Sequence, residues 1–385
     1  MDFFSVLSMI GGLALFLYGM HVMGEGLSKV SGGKMEKILE SLTSNPLKAV
    51  GLGALVTAVI QSSSATTVMV VGFVNSGIMK LSQAVGVIMG ANIGTTITSW
   101  ILSLSGIESD SFFIQLFKPT SFSPILAIIG VAFLLFAKSE KKKDIGTIFL
   151  GFAVLMFGME SMSAAVKPLA DVPEFTGILT AFSNPLLGML AGAVLTAVIQ
   201  SSSASVGILQ ALCVTGAVSY SVAIPIILGQ NIGTCVTALL SAIGAKKNAK
   251  RAAMVHLYFN IIGTAVFLVV FYGLHMAFDF QFMGQAANAA GIAVAHSAFN
   301  VFATCILLPF SKGLEKLACI TIRDEKEEKS ETEGLQLLDA RFLDKPALAM
   351  EQSRVVANHM AAASKECLFM ALSLFDNYKE EAEEK

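Results

Sequence analysis

SNPLKAVGLGALVTAVIQSSSATT occupies residues 44–67, and SNPLLGMLAGAVLTAVIQSSSASV occupies residues 183–206. A shift of 139 residues lays one on the other. The same ungapped shift lays GANIGTTIT (90–98) on GQNIGTCVT (229–237), and Gly19-Met20 on Gly158-Met159. Across 44–100, roughly 25 of about 57 positions are identical. That is far above chance for two apolar stretches, so the chain contains a duplication. Each copy splits two apolar segments around Gln-Ser-Ser-Ser: 46–60 and 65–79, then 185–199 and 204–218. A helix needs about 20 apolar residues to cross the hydrocarbon, and these segments are shorter. They read as two re-entrant helical hairpins with the motif at each buried tip, because broken backbone at that depth survives only against protein or a cavity.

The rest of the composition agrees with a membrane protein. Of 385 residues, 54% are hydrophobic and 14% are Asp, Glu, Lys or Arg, with mean hydropathy +0.71. Soluble chains carry about 25% charged residues. The charges gather at 25–48, 138–144, 246–251 and from 312 onward, and the net charge of −2 gives no reason to expect nucleic acid. The five cysteines form no CxxC pair and read as small apolar fillers. The N-terminus lacks a basic region and a cleavage site, so it reads as a first span.

Segments long enough to cross are 3–23, 81–104, 145–163, 220–243, 252–278 and 283–309, with a shorter crossing at 122–137. Basic loops mark the cytoplasmic side. KSEKKKD (138–144) and AKKNAKR (245–251) fall on one side if 185–218 is a hairpin, and Lys29, Lys34, Lys37, Lys48 and Lys80 join them. The flank of the second hairpin, 164–184, carries only Lys167 with Asp171 and Glu174, as an outer segment should. An odd number of crossings separates the copies, so the expected fold is an all-α polytopic membrane protein. It is built as an inverted repeat with two opposed re-entrant hairpins and broken helices. Repeat 1 covers about 1–137, repeat 2 about 145–278, and an extra span 283–309 completes a transmembrane domain, 1–310. A charged linker follows at 311–345, then a cytoplasmic amphipathic helix over 346–385. The apolar stripe of that helix calls for a partner: a second copy of the chain or a cytoplasmic regulatory protein.

Inverted repeats with broken helices are the architecture of secondary transporters, which hold substrate near the midplane. Each tip offers three hydroxyls and a carboxamide, from Gln61, Ser62, Ser63 and Ser64 and from Gln200, Ser201, Ser202 and Ser203. The half-helix that follows presents free N–H groups and a positive dipole end, a ready anion site. NIGT, at Asn92–Thr95 and Asn231–Thr234, sits within a span and suggests local unwinding that frees carbonyls for a hard cation such as Na⁺. The spans hold no deep Arg or Lys, so a multivalent anion there needs countercharge from bound cations. Serines bonded back to their own helix are the plain alternative. Two such tracts at equivalent places, each followed by NIGT, argue for a site. Gly51, Gly53, Gly188 and Gly192 read as close-packing positions. HLYFN (256–260) and HSAFN (296–300) echo each other and read as structural.

The paired QSSS motifs, the NIGT segments and the HxxFN after the second copy resemble the type II sodium/phosphate cotransporter family over about residues 1–310. The resemblance implies inorganic phosphate as substrate, driven by Na⁺, with no other cofactor. The two QSSS motifs would frame phosphate. Ser62, Ser64, Asn92, Thr95, Thr96, Ser201, Ser203, Asn231 and Thr234 would contact the cation, with Cys235 standing where the first copy has a threonine. The tail is similar to the opening of PhoU-like domains of bacterial members, of which it holds about one helix. The expected location is the plasma membrane of a bacterium, multi-pass, with a cytoplasmic C-terminus. Another oxyanion such as arsenate fits the same donors. A phosphate sensor signalling through the tail is a different class, compatible with transport. An intramembrane serine hydrolase is disfavoured by the absence of a GxSxG-type elbow, so no enzyme activity is expected.

Overall fold

Asn45 and Asn184 precede Pro46 and Pro185 at equivalent places of the duplication, and each caps a helix. Asn45 Oδ1 accepts from Leu47 N at 2.9 Å, and Asn184 Oδ1 from Leu186 N at 3.0 Å. A proline in the first turn loses no hydrogen bond there. The computed structural model describes residues 3–31, 45–106, 118–323 and 346–376. Among these residues every regular element is helical. The first copy comprises α1 (Phe3–Ser31), α2 (Pro46–Ile60), α3 (Ser63–Asn75), α4 (Leu81–Ser103) and α5 (Pro119–Phe136). The second comprises α6 (Glu140–Val166), α7 (Pro173–Ala181), α8 (Pro185–Ile199), α9 (Ser202–Cys213), α10 (Tyr220–Ser241) and α11 (Lys247–Phe278). Three helices follow: α12 (Ala289–Leu307), α13 (Ser311–Thr321) and α14 (Pro346–Asp376). Among the described residues six helical stretches are long and apolar enough to cross a membrane: those starting at Phe3, Leu81, Glu140, Tyr220, Lys247 and Ala289. The expected crossing at 122–137 is the shorter apolar helix α5.

The duplication is visible in the packing. A methyl placed on Gly90 of α4 would lie 2.0 Å from the Val50 carbonyl oxygen of α2, and one on Gly94 would lie 2.5 Å from that of Ala54. In the second copy the corresponding distances are 1.9 Å (Gly229 to Met189) and 2.4 Å (Gly233 to Ala193). Contacts therefore advance together along α2 and α4, and along α8 and α10. The paired helices run parallel, backbone on backbone, and α3 and α9 run back between them. Gly53 and Gly192 make such close approaches, and Gly188 meets the Phe182 carbonyl and the Pro225 side chain, but nothing lies within 4 Å of Gly51, which faces outward.

Equivalent helices α1 and α6 pack antiparallel. A methyl on Gly12 would meet Gly158 O at 3.0 Å, and one on Gly151 would meet Gly19 O at 3.0 Å. Gly12 and Gly151 are equivalents, as are Gly19 and Gly158, so the contact is reciprocal about a local two-fold. The ends of the molecule sort accordingly. At one end Gly26 meets Asp144 O, Asn75 Oδ1 accepts from Lys246 N at 2.8 Å, and Arg251 donates to Ile322 O. At the other, Gly106 meets Ala289, and Ala287 N donates to Val218 O at 2.7 Å. The basic loops 138–144 and 245–251 share the first end. The α2–α3 pair opens at this basic end, and the α8–α9 pair opens at the opposite one.

Two sequence expectations differ from the structure. NIGT is not unwound: α4 and α10 run through it as continuous α-helix, and their glycines serve the close approach of α2 and α8. Within each of the stretches 46–75 and 185–213 the helix is broken at the QSSS motif. The chain from 311 onward does not begin as a linker. Amphipathic α13 buries Leu314 and Ala318 beside α11, and Arg251 bonds the Ile322 carbonyl just past its end. The remainder of the expected linker, 324–345, lies outside the described residues. Helix α14 leaves Met360 and Leu368 exposed.

Candidate functional site

Each first half-helix ends on its glutamine. Gln61 has φ 58° and Gln200 has φ 59°, both left-handed, and each backbone N–H closes the helix on a threonine carbonyl (Thr57, Thr196) at 2.7 Å. A side chain in this region is strained by roughly 1 kcal/mol or more. Two equivalent non-glycine residues hold that conformation, which marks both as sites where the side chain matters. The next residue caps the second half-helix: Ser62 Oγ accepts from Ala65 N at 3.1 Å, and Ser201 Oγ from Ala204 N at 3.3 Å.

Each tip thus places a helix C-terminus and a helix N-terminus within two residues of each other. The N-terminus of α3 or α9 carries about half a positive charge and suits an anion. The C-terminus of α2 or α8 carries about half a negative charge and suits a cation. The tips meet. Ser64 Oγ stands 3.5 Å from the Gln200 carbonyl oxygen, 136 residues away. One cavity of about 440 Å³ is lined by Gln61, Ser62, Ser63, Ser64, Gln200, Ser201, Ser202 and Ser203 together. All eight anion residues expected from the sequence are in it.

The rest of the lining was not foreseen: Met20, His21, Gly24, Glu25 and Ser28 of α1, with Ile60 and Ala65. The duplicated Gly19-Met20 pair was a signal for α1, but the stripe that follows has no equivalent in α6 and carries no motif. Glu25 pairs with Lys29 at 2.7 Å, and both are about half exposed. Among the described residues no lysine or arginine lines the cavity. Its α1 wall leads toward the basic end.

The NIGT side chains are not in this lining. Asn92 and Asn231 donate to their own helix, to Ile88 O at 3.0 Å and Ile227 O at 2.8 Å. Thr95, Thr96 and Thr234 likewise bond back to Ala91, Ile93 and Gln230 carbonyls. Their oxygens are buried behind the tips. Among the described residues no three His, Cys, Asp or Glu cluster as metal ligands. At the tips a cation would meet hydroxyl, amide and carbonyl oxygens, with the Glu25 carboxylate on the α1 wall of the same cavity. Thr98, also missed, donates to Gln61 Oε1 at 3.0 Å. Both histidines of the echoed segments are buried, and His296 Nδ1 meets Ser99 Oγ at 2.7 Å.

The family model described as Na+/Pi-cotransporter matches the chain twice, at residues 15–164 and 154–295. The chain belongs to the Na+/Pi-cotransporter family. The two matches begin 139 residues apart (154 − 15), the same shift as the duplication. Among relatives, the uncharacterized protein YqeW of Bacillus subtilis is 32% identical over 257 residues, 66% of this chain and 79% of its own. The putative inorganic phosphate export protein YjbB of Escherichia coli K12 is 28% identical over 349 residues, 90% of this chain and 61% of its own. The rat sodium-dependent phosphate transport protein 2A is 27% identical over 193 residues, 49% of this chain and 29% of its own. No solved structure matches.

Proposed function

We propose that this family member is a Na⁺-coupled secondary transporter of inorganic phosphate, working by alternating access, with phosphate and Na⁺ bound between the two QSSS tips. The observation that carries the reading is the convergence of both motifs, entering from opposite ends, on one cavity whose described lining holds no lysine or arginine. The antiparallel, reciprocal packing of α1 on α6 supports an inverted repeat. The basic loops at one end support a cytoplasmic face that includes 138–144, 245–251 and the tail. Phosphate oxygens take the N–H groups of α3 and α9 with the hydroxyls of Ser63, Ser64, Ser202 and Ser203. The carbonyl ends of α2 and α8, with Ser62 and Ser201, take Na⁺. The NIGT residues Asn92, Thr95, Thr96, Asn231 and Thr234 support the tips from behind, and their helices shift with them. Because the described lining offers phosphate no lysine or arginine, it enters only with Na⁺.

Uptake of labelled phosphate into proteoliposomes tests this. A Na⁺ gradient should drive accumulation, and an equal K⁺ gradient should not. Uptake indifferent to Na⁺ would refute the coupling. The name of the E. coli relative favours one further reading, in which net flux runs outward in the cell. Efflux from phosphate-loaded vesicles measured on both sides of an imposed gradient distinguishes the two directions.

A further inference from the structure

The two copies have the same backbone but not the same hydrogen bonds. In the first, Thr98 Oγ1 donates to Gln61 Oε1 at 3.0 Å, and Gln61 is 6% exposed. Thr57 Oγ1 donates to Thr66 Oγ1 at 3.0 Å, and Thr66 Oγ1 donates in turn to Ser62 O at 3.1 Å. In the second, the equivalent Thr237 turns to its own helix and donates to Thr234 O at 2.8 Å. Gln200 is exposed to the cavity, and Thr196 Oγ1 and Ser205 Oγ are buried with no partner. Helix packing does not explain the difference, since the close approaches of α2 to α4 and of α8 to α10 agree within about 0.1 Å at matched glycines. Gln61 and Gln200 share one backbone conformation. The same two groups, a threonine hydroxyl and a glutamine carboxamide, recur at equivalent positions, Thr237 being to Gln200 in the sequence as Thr98 is to Gln61.

We propose that Thr98 and Thr237 are alternating positioning residues for the two motif glutamines. Thr98 holds Gln61 while the cavity is open along α1, and Thr237 holds Gln200 in the opposite state, when Gln61 is released. The idea rests on the alternating-access reading and adds to it the groups that favour each state. In the state seen here the first tip is tied back and the second presents its carboxamide to the cavity. A local two-fold requires the opposite pattern when the cavity opens along α6. One neutral hydrogen bond then biases the two states by about three- to tenfold.

The test reads access at the α1 wall. Ser28→Cys is alkylated with a membrane-impermeant maleimide in otherwise unaltered protein, and the rate is read on the Ser28 peptide by mass spectrometry. Thr98→Val should slow labelling by about three- to tenfold, and Thr237→Val should speed it. Thr98→Ser and Thr237→Ser should restore the parent rate, and the double valine variant should return close to it. In proteoliposomes the same pair should shift the apparent KM for phosphate presented on the α1 side in opposite directions. Shifts of the same sign, or unchanged labelling in both valine variants, would overturn the proposal. Labelling does not depend on the substrate, so a chain that failed to carry phosphate would refute the transport reading while the latch was still judged.

Discussion

The left-handed glutamines separate what the backbone needs from what the site needs. Replacing Gln200 by alanine removes the carboxamide and keeps a Cβ at φ 59°. Replacing it by glycine removes the same carboxamide and the strain. The two variants differ only in backbone preference, so Gln200→Gly should be the more stable by about 1 kcal/mol, the gain expected for glycine over alanine at positive φ. For a domain of this size that is about 2 °C in the melting temperature in detergent. The sign is the informative part, because inside a helix glycine is worse than alanine by roughly 1 kcal/mol. Gly51 supplies the control: it lies within α2 with nothing inside 4 Å, so Gly51→Ala should raise the melting temperature. Both Gln200 variants should lose phosphate transport alike. An alanine variant as stable as the glycine variant would refute the strained tip. Normal transport by the glycine variant would remove the carboxamide from the site. At Gln61 either change also forfeits the bonds from Thr98 and to the Ala58 carbonyl, so each should be less stable than its Gln200 counterpart by about 1–3 kcal/mol.

Gly90→Ala and Gly229→Ala put a methyl about 2 Å from a carbonyl oxygen and force parallel helices apart. Each should destabilise by at least about 1–3 kcal/mol, seen as a lower melting temperature and poor recovery of monodisperse protein. Ser63→Ala and Ser202→Ala delete buried hydroxyls beside the half-helix N-termini. Each should reduce kcat/KM for phosphate by about ten- to hundredfold, the worth of a hydrogen bond to a charged group; unaltered uptake would sink that assignment.

Much of the fold was legible because a duplication states its own alignment. The equal shift of QSSS, NIGT and Gly19-Met20 predicted two structurally equivalent halves, and the matched distances at Gly90 and Gly229 show them. The tips were legible because four consecutive polar residues between two short apolar runs leave few other placements. The NIGT segments were misread because glycine serves two purposes that look alike in sequence. It releases the backbone, or it admits another backbone, and only the partner helix decides. At Gly94 and Gly233 the partner is α2 or α8, and the helix stays whole. The α1 wall was illegible for a different reason. Met20, His21, Glu25 and Ser28 share a helix face, but nothing in that spacing says that the face looks onto a tip rather than into water. The motif threonines were legible as polar residues, but a threonine present at both 98 and 237 does not say which of the two bonds its glutamine.

Charge sets a last expectation. Two helix N-termini at the tips offer about one positive charge in all, and two C-termini offer about one negative charge. The dipoles sum to about zero, Glu25 and Lys29 cancel, and among the described residues no lysine or arginine lines the cavity. A divalent oxyanion would therefore enter uncompensated, and burying such charge is prohibitive even after relaxation. Its neutrality must come from co-bound ions, so at least two monovalent cations should accompany each divalent phosphate. The gradients at which net flux vanishes measure this directly. With coupling of two or more, a tenfold Na⁺ gradient without membrane potential should hold at least about a hundredfold phosphate gradient, tenfold for each cation carried. Flux that vanishes at a tenfold phosphate gradient would mean one cation per anion. A monovalent anion, or a proton taken up with it, would then have to supply the rest.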